Sequence, residues 1–350
     1  MLGEMTSKKD IRKIDQKALE AFFVAHGEKP YRAKQVMEWL WKKSVLDFEE
    51  MSNLSQKTRA LLQEYFHVPT ITVHRKQQSK DGTIKNAVKL SDGLIVESVL
   101  IPTSKRITAC VSSQVGCSLD CTFCATAKLK RMRNLNADEI YDQVVTIKRQ
   151  AEEEFGRPLT NIVFMGMGEP LLNYQEVIKA IDRITSDQGL MMASKRITLS
   201  TVGIAKMIRK MADDGVKFNL AVSLHAAIDT TRTQLMPINQ SNNLNDLADA
   251  IAYWYKLTKR KVTYEYVVWE GVNDNEQHAR ALLEFCKRTP SKVNLIEYNP
   301  IGDGKYAQGK ANIIGFYQDL LERNGIVARV RKSRGQDIDA ACGQLANKFD

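Results

Sequence analysis

Residues 107–126 read ITACVSSQVGCSLDCTFCAT, and the order of properties along this stretch decides the fold. A short run rich in β-branched residues, ITACVSS, predicts a strand, and Cys117-x3-Cys121-x2-Cys124 follows it almost directly. Three thiols therefore stand on one short loop at a strand's carboxyl end, where α/β proteins collect their ligand groups. Thiolates spaced this closely can face a single centre. A structural zinc site needs four ligands, and Cys110, seven residues upstream within the strand, is available as the fourth. The alternative is a four-iron cluster held by three cysteines, with one iron left open for a small molecule.

Downstream of this loop the chain alternates strand and helix for over 200 residues. Strands are predicted at 107–112, 161–165, 196–200, 217–224, 262–268 and 292–297. Helices are predicted at 136–155, 173–185, 203–214, 242–258, 275–288 and 310–324. Six βα units in succession imply an α/β fold with a parallel sheet, either curled into a barrel or doubly wound. Polar groups recur where those strands end. NIVFM (161–165) runs into Gly166-Met167-Gly168-Glu169-Pro170, where glycines let backbone approach a ligand and the carboxylate suits an ammonium group. RITLSTVG places Ser200 at the third strand's end, NLAVSLHA places Ser223, Leu224 and His225 at the fourth's, and NLIEYNPIG places Asn299 at the sixth's. A solitary histidine is usually a satisfied core residue, but His225 keeps company with these groups.

Upstream, residues 8–67 carry apolar residues at three- and four-residue spacing and read as helices, with Gly27 and Pro30 punctuating them. Residues 70–101 change to short alternating runs around Asp81-Gly82 and Asp92-Gly93, which predicts a small antiparallel connector. The expected organisation is a helical accessory domain at 1–68, a β-rich connector at 69–102, the main barrel at 103–337 and a tail at 338–350. Trp39 and Trp41 read as packing for the helical part, and Cys286, within LLEFCKR, reads as a core residue.

Composition narrows the class. The chain has 350 residues, 43% of them hydrophobic and 26% charged, an ordinary globular balance. No apolar run is long enough to span a bilayer, and MLGEMTSKKDIRKID lacks the pattern of an export signal, so a cytoplasmic protein without a membrane partner is expected. Six cysteines, four of them within fifteen residues, then suggest a metal or redox role rather than a disulfide scaffold. The formal charge is +10. Residues 102–134 carry Lys105, Arg106, Lys128, Lys130, Arg131 and Arg133 against Asp120. Residues 321–334 carry Arg323, Arg329, Arg331, Lys332 and Arg334 against Glu322. Such runs are either solvated faces or a footprint for a polyanion.

The cysteine loop after the first barrel strand resembles that of the radical S-adenosylmethionine (SAM) enzymes, with Phe123 in the place of an aromatic that flanks the adenine. ACVSSQVGC (109–117), FMGMGEPLLN (164–173) and RVRKSRGQDIDAACGQLA (329–346) resemble the RlmN-type adenine-C2 methyltransferases of 23S rRNA. That resemblance extends over about residues 10–347.

It implies a partial (βα)6 TIM-like barrel in which Cys117, Cys121 and Cys124 bind one [4Fe-4S] cluster. Gly168, Glu169, Ser200, Ser223, Leu224, His225 and Asn299 would hold SAM, of which two are used per methylation. Cys342 would take the methyl as S-methylcysteine, and Cys110 would release the product through a transient disulfide with Cys342. Glu97, in IVESVLIP, corresponds to the family's proton acceptor. The implied substrates are 23S rRNA and the tRNA adenosine 3′ to the anticodon, with the helical domain and Lys34, Lys42 and Lys43 facing RNA. A flavodoxin-like one-electron reductant and a monomeric chain complete the expectation. The relayed methyl has a chemical reason: C2 and C8 of adenine are electron-poor carbons that cannot attack a sulfonium methyl, whereas a thiolate can. Three rivals remain at this level: C8 methylation of the Cfr type, a radical SAM enzyme acting on small molecules or proteins, and a zinc-stabilised RNA-binding protein without catalysis.

Overall fold

A computed structural model of the protein describes residues 8–348. The extreme ends of the first and last expected segments, and the first seven residues of the start read as lacking an export signal, fall outside that range.

The chain opens with β1 (Lys9–Asp10), α1 (Gln16–Ala25), α2 (Tyr31–Met37) and α3 (Gln56–Tyr65), and β2 (Phe66–His67) returns to pair in parallel with β1. Asp15 starts α1 by accepting the Ala18 N–H at 2.8 Å, and Leu19 and Phe23, four residues apart, turn its apolar face inward. Trp39 and Trp41 lie on a wide π-type turn (Glu38–Lys42) that extends α2. Trp41 is buried against Tyr141, ring centroids 5.4 Å apart.

The antiparallel strands β3 (Thr72–Gln78), β4 (Ile84–Lys89) and β5 (Ile95–Pro102) come next, then β6 (Ile107–Cys110). A small hairpin follows, β7 (Gln114–Val115) with β8 (Arg133–Asn134), and it brackets the cysteine loop. Helix α4 (Ala137–Phe155) is launched by a capping box of Asn136 and Glu139 and stopped by Gly156 at φ 59°. The alternation continues through β9 (Asn161–Phe164), α5 (Tyr174–Thr185), β10 (Ile197–Thr201), α6 (Ala205–Asp213), β11 (Asn219–Ser223), α7 (Asp229–Leu235) and α8 (Leu244–Thr258). It ends with β12 (Val262–Val267), α9 (Glu276–Lys287), β13 (Ser291–Ile296), α10 (Ala311–Arg323) and β14 (Val327–Arg331).

One sheet orders its strands β14-β13-β12-β11-β10-β9-β6-β5-β4-β3. From β6 to β14 every neighbour is parallel and follows the chain order, with no reversal. A doubly wound sheet reverses at a switch point, so the open alternative resolves to a singly wound, partial barrel. Six βα units are present as expected. β14 makes a seventh parallel strand that the sequence did not suggest, because VARVR reads as part of a basic run and only Ala328 of the strand is buried. The antiparallel strands are also more than a connector: Leu100 of β5 pairs with Ala109 of β6, so they extend the barrel sheet itself.

The helical part docks on α4. Arg12 reaches Asp142 at 2.7 Å with both side chains buried, and Arg149 donates to the Ser44 carbonyl at 2.7 Å. Cys286 is buried in the core on α9, as expected. Among the described residues no helix is long and apolar enough to cross a membrane.

Candidate active site

The carboxyl ends of the parallel strands surround a hollow of about 1120 Å³, its open mouth included. Cys117, Cys121 and Cys124 line it, as do Gly168, Glu169, Ser200, Ser223, His225, Asn299 and Cys342. Leu224 does not: its side chain belongs to the apolar core, and only its backbone meets polar groups, its carbonyl accepting Arg232 Nε at 3.2 Å.

The thiols of the loop are placed for a soft cationic centre. Burial pushes Cys117 up to about 11, and burial together with Cys124, Cys117 and Glu169 raises Cys121 well above the usual thiol range. Such a group of anions gathers only around a cation that draws their protons off. Among the described residues no three His, Cys, Asp or Glu side chains converge tightly enough to cage one metal ion. Sulfurs on a tetrahedral zinc would stand about 3.8 Å apart. A polynuclear centre, with each cysteine on a different iron, asks for a wider triangle of the same donors. An all-thiol set beside an open hollow fits the second.

The glycine segment is held against the loop that follows β6. A Cβ on Gly168, at φ 93°, would meet the Gln114 side chain at 2.5 Å, and one on Gly166 would meet Ser112 Oγ at 2.7 Å. Gln114 also accepts the Glu169 N–H at 2.9 Å. Glu169 is buried, and burial pushes its carboxyl up to about 7. Its oxygens accept N–H groups from Leu171 at 3.0 Å and Val202 at 2.9 Å. A buried carboxylate at a cavity wall is a ready partner for a ligand's ammonium.

His225 takes a left-handed backbone, φ 57°, because its N–H and that of Leu224 both turn back to the Glu265 carbonyl. Burial lowers its imidazole to about 3, so the ring is neutral. It accepts the Val267 N–H at 3.3 Å on Nδ1 and packs edge-on to Phe123, 4.9 Å between centroids. Trp269 completes this aromatic wall, 5.1 Å from Phe123.

Cys110 sits at the end of β6, and burial, with Cys342 close by, pushes its thiol up to about 12 while Arg331 opposes the rise. Cys342 is solvent-accessible, yet it stands inside the hollow with protein around it; that surrounding raises its thiol, and Arg331 again opposes. The two cysteines share a second, smaller cavity with Met165, Ile296 and Arg331, so Cys342 forms a wall common to both hollows. All six cysteines are free thiols, and the Cys110–Cys342 disulfide is therefore not a standing bond of this fold.

The tail carrying Cys342 lies across the mouth. Ala125 donates its N–H to the Gly343 carbonyl at 2.7 Å, Thr126 Oγ1 donates to the Leu345 carbonyl at 2.5 Å, and Asn299 Nδ2 donates to the Cys342 carbonyl at 3.1 Å. Glu97 lines neither hollow. It is fully buried in β5, away from the position expected of a proton acceptor facing substrate.

Three contributors were not anticipated. Arg232, fully buried, donates to the Val202 carbonyl at 2.5 Å and to Asn239 Oδ1 at 2.7 Å, tying the ends of β10 and β11 together. Arg331, counted in the sequence only as part of a basic run, lines the hollow and pairs with Glu265 at 3.3 Å. Trp269 closes the aromatic wall. A lone arginine, an arginine in a basic run and a lone tryptophan leave no local signature, although Arg331 does stand in the segment that carried the family resemblance. The basic run at 102–134 also offers less free charge than its count, since Lys128 pairs with Asp303 at 2.7 Å and Arg133 pairs with Asp92 and Glu139.

Three thiols on the first loop of an open parallel barrel, facing a hollow lined by the later strand ends, make this a radical SAM enzyme, and a profile of the Radical SAM superfamily matches residues 111–283. A profile of the ribosomal RNA large subunit methyltransferase N-terminal domain matches residues 9–68. A "probable dual-specificity RNA methyltransferase RlmN" of Christiangramia forsetii is 60% identical, covering 99% of this chain and 98% of its own. The dual-specificity RNA methyltransferase RlmN of Halorhodospira halophila is 44% identical over 96% of this chain and 93% of its own. A crystal structure of a radical SAM methyltransferase from Sphaerobacter thermophilus superposes with a TM-score of 0.91 at 38% identity, covering 97% of this chain and 100% of that one. The chain belongs to the RlmN family of radical SAM RNA methyltransferases. Membership implies SAM and a [4Fe-4S] cluster.

Proposed function

We propose that this enzyme methylates C2 of an adenosine in 23S rRNA and of the adenosine 3′ to the anticodon in tRNA, with Cys342 carrying the methyl group. The observation that supports this reading is the position of Cys342 between two hollows, one holding the three loop cysteines and Glu169, the other Cys110.

Cys117, Cys121 and Cys124 would hold the cluster, which supplies the electron for reductive cleavage of SAM into a carbon-centred radical. Gly168, Glu169, Ser200, Ser223, His225 and Asn299 would seat SAM, with Glu169 against its ammonium and Phe123 and Trp269 beside its base. The Cys342 thiolate attacks one SAM methyl and becomes a thioether, releasing S-adenosylhomocysteine. A hydrogen atom from that methyl would pass to the 5′-carbon radical of a second SAM, giving 5′-deoxyadenosine and a carbon radical able to add to an electron-poor purine carbon. Once the adduct has given up one electron, which the cluster could accept, and its ring proton to a base, Cys110 would attack the Cys342 sulfur, forming a transient disulfide as the carbon–sulfur bond breaks and the released carbon takes up a proton; an external thiol would then reduce the disulfide. Arg331, beside both cysteines, favours their thiolate forms. Glu97, the family's proton acceptor, would reach the purine only if the tail lifted from it. A one-electron reductant serves the monomeric chain, and exposed Lys130, Arg131, Lys42 and Lys43 face RNA phosphates. The adenine must be presented unstacked for its edge to enter.

Reconstitution with iron, sulfide, SAM, a reductant and unmodified RNA, followed by nucleoside mass spectrometry, tests the reading. The expected product is 2-methyladenosine in both RNAs. Formation of 8-methyladenosine alone would replace C2 by C8, and a colourless zinc protein would remove the radical chemistry altogether.

A further inference from the structure

Glu97 is fully buried, so its carboxyl group needs partners inside the protein. Lys85 is one. It lies on β4 and pairs across to Val99, while Ala87 pairs with Glu97, so Lys85 and Glu97 are diagonal neighbours on one face of the sheet. The Lys85 ammonium stands 3.3 Å from Glu97 Oε1, with 3% and 1% of the two side chains exposed. Oε1 accepts no hydrogen bond among the described residues, so its contact with Lys85 is an ion pair alone.

The second oxygen does different work. Glu97 Oε2 accepts the Ala346 N–H at 2.8 Å and the Asn347 N–H at 3.1 Å, and Asn347 Nδ2 donates to the Ile95 carbonyl at 2.9 Å. These tail amides come four and five residues after Cys342. On the other side of that cysteine, Gly335 donates its N–H to Asp81 at 3.0 Å, and Ser79 Oγ donates to Asp337 at 2.6 Å. The antiparallel strands therefore grip the tail on both sides of Cys342. The bonds of both grips are part-buried, but the upstream carboxylates, Asp81 and Asp337, belong to exposed residues while Glu97 is buried. Glu97 also reaches the SAM side through its backbone, since its carbonyl accepts Ser112 Oγ at 2.6 Å and that oxygen accepts the Met167 N–H at 2.8 Å.

We infer that Lys85 is a positioning residue for methyl loading: it holds the Glu97 carboxylate in place, and the carboxylate latches the tail so that Cys342 stands at the mouth of the barrel. Only the catalytic readout of this inference rests on the proposed role of Cys342. The latch itself is read from the tail's backbone.

Full-length Lys85→Met, Glu97→Gln and Lys85→Arg are compared by amide hydrogen exchange and by the mass of the Cys342 peptide after reconstitution with SAM. In Lys85→Met and Glu97→Gln, the peptide containing Ala346 and Asn347 is expected to exchange about ten- to hundred-fold faster, with barrel strands unchanged. Methyl loading of Cys342 falls in step, and Lys85→Arg restores both. Unchanged tail exchange in a folded Lys85→Met protein would overturn the latch. A Glu97 that acted only as a base would leave exchange and loading intact and stop the reaction later. Should Lys85→Met fail to fold, Lys85→Met/Glu97→Leu removes both charges together. Fast tail exchange in that protein supports the latch, and normal protection refutes it. Exchange needs neither SAM nor RNA, so a wild-type protein that never methylates Cys342 would refute the methyl-carrier reading while leaving the latch to be judged.

Discussion

The mouth of the barrel and the antiparallel strands beside it hold their cysteines by different means. At the mouth, Cys117, Cys121 and Cys124 share one loop, bracketed by β7 and β8 within twenty residues of chain. Cys342 belongs to the opposite end of the sequence and reaches the same hollow through contacts with Ala125, Thr126, Asn299 and Glu97. The first arrangement is local. The second is assembled from distant pieces by hydrogen bonds of the tail and belongs to no strand of the barrel. On the proposed mechanism Cys342 takes a methyl, is joined through it to the base and is then freed by Cys110, which calls for an attachment that can yield, whereas cluster ligands would need to stay where they are.

The largest expected effect breaks the comparison at its two ends. Cys121→Ala and Cys342→Ala should each lower RNA methylation by at least about a thousand-fold, as removal of an obligatory group does. Their other readouts should diverge. Cys121→Ala loses iron, while Cys342→Ala keeps it and still cleaves SAM reductively. Cys110→Ala keeps iron and loading but accumulates a protein–RNA crosslink visible as a shifted band. Loss of iron from Cys342→Ala would mean that the tail is part of the cluster site and would erase the distinction.

The same contrast explains what could be read from sequence. The cysteine loop, the glycine segment and the strand-end polar residues are short-range patterns, and of the residues they offered for cluster and SAM all but Leu224 line the main hollow, whereas Cys110 lines the smaller one and Glu97 neither. The βα alternation was equally legible, since its periodicity is local. β14 escaped because its burial depends on one alanine, Ala328, in a strand that otherwise reads as part of a basic run. The continuity of β5 with β6 escaped because a register across an antiparallel pair carries no signature in either strand alone. Glu97 and Lys85 are twelve residues apart and look like ordinary strand charges; only the fold shows that they seal each other and meet the tail. Arg232 and Arg331 were likewise invisible as site residues, because an arginine's inward turn is decided by partners far along the chain.

Arg232 sharpens the comparison from the barrel's side. Its guanidinium satisfies carbonyls at the ends of β10 and β11 and the amide of Asn239, all in the interior. Arg232→Met removes the charge but leaves those acceptors unpaired, which should cost about 3–5 kcal/mol of stability. Urea unfolding monitored by far-UV circular dichroism measures it. Replacement of a single tail contact, such as Asn347→Ala, should change global stability far less, since the tail can detach locally. A loss below about 1 kcal/mol in Arg232→Met would show that the mouth is no stiffer than the tail.

His225 gives the smallest effect and tests the mouth by pH. Burial holds the folded imidazole down at about 3, against about 6.5 for an unfolded histidine. As pH falls below 6.5 the unfolded chain takes up a proton that the folded chain refuses, so this residue's contribution is intact above that pH and is lost progressively towards 3. Between pH 7 and pH 5 the native protein should lose about 2 kcal/mol from this group alone. His225→Asn removes the titration while tolerating the left-handed backbone at φ 57°. The difference between the two proteins in urea midpoint should therefore shrink or invert in His225→Asn's favour as the solution is acidified, by that amount. Parallel pH profiles for the two would mean that the ring reaches water and is protonated in the folded state, and that the aromatic wall of Phe123 and Trp269 does not close over it.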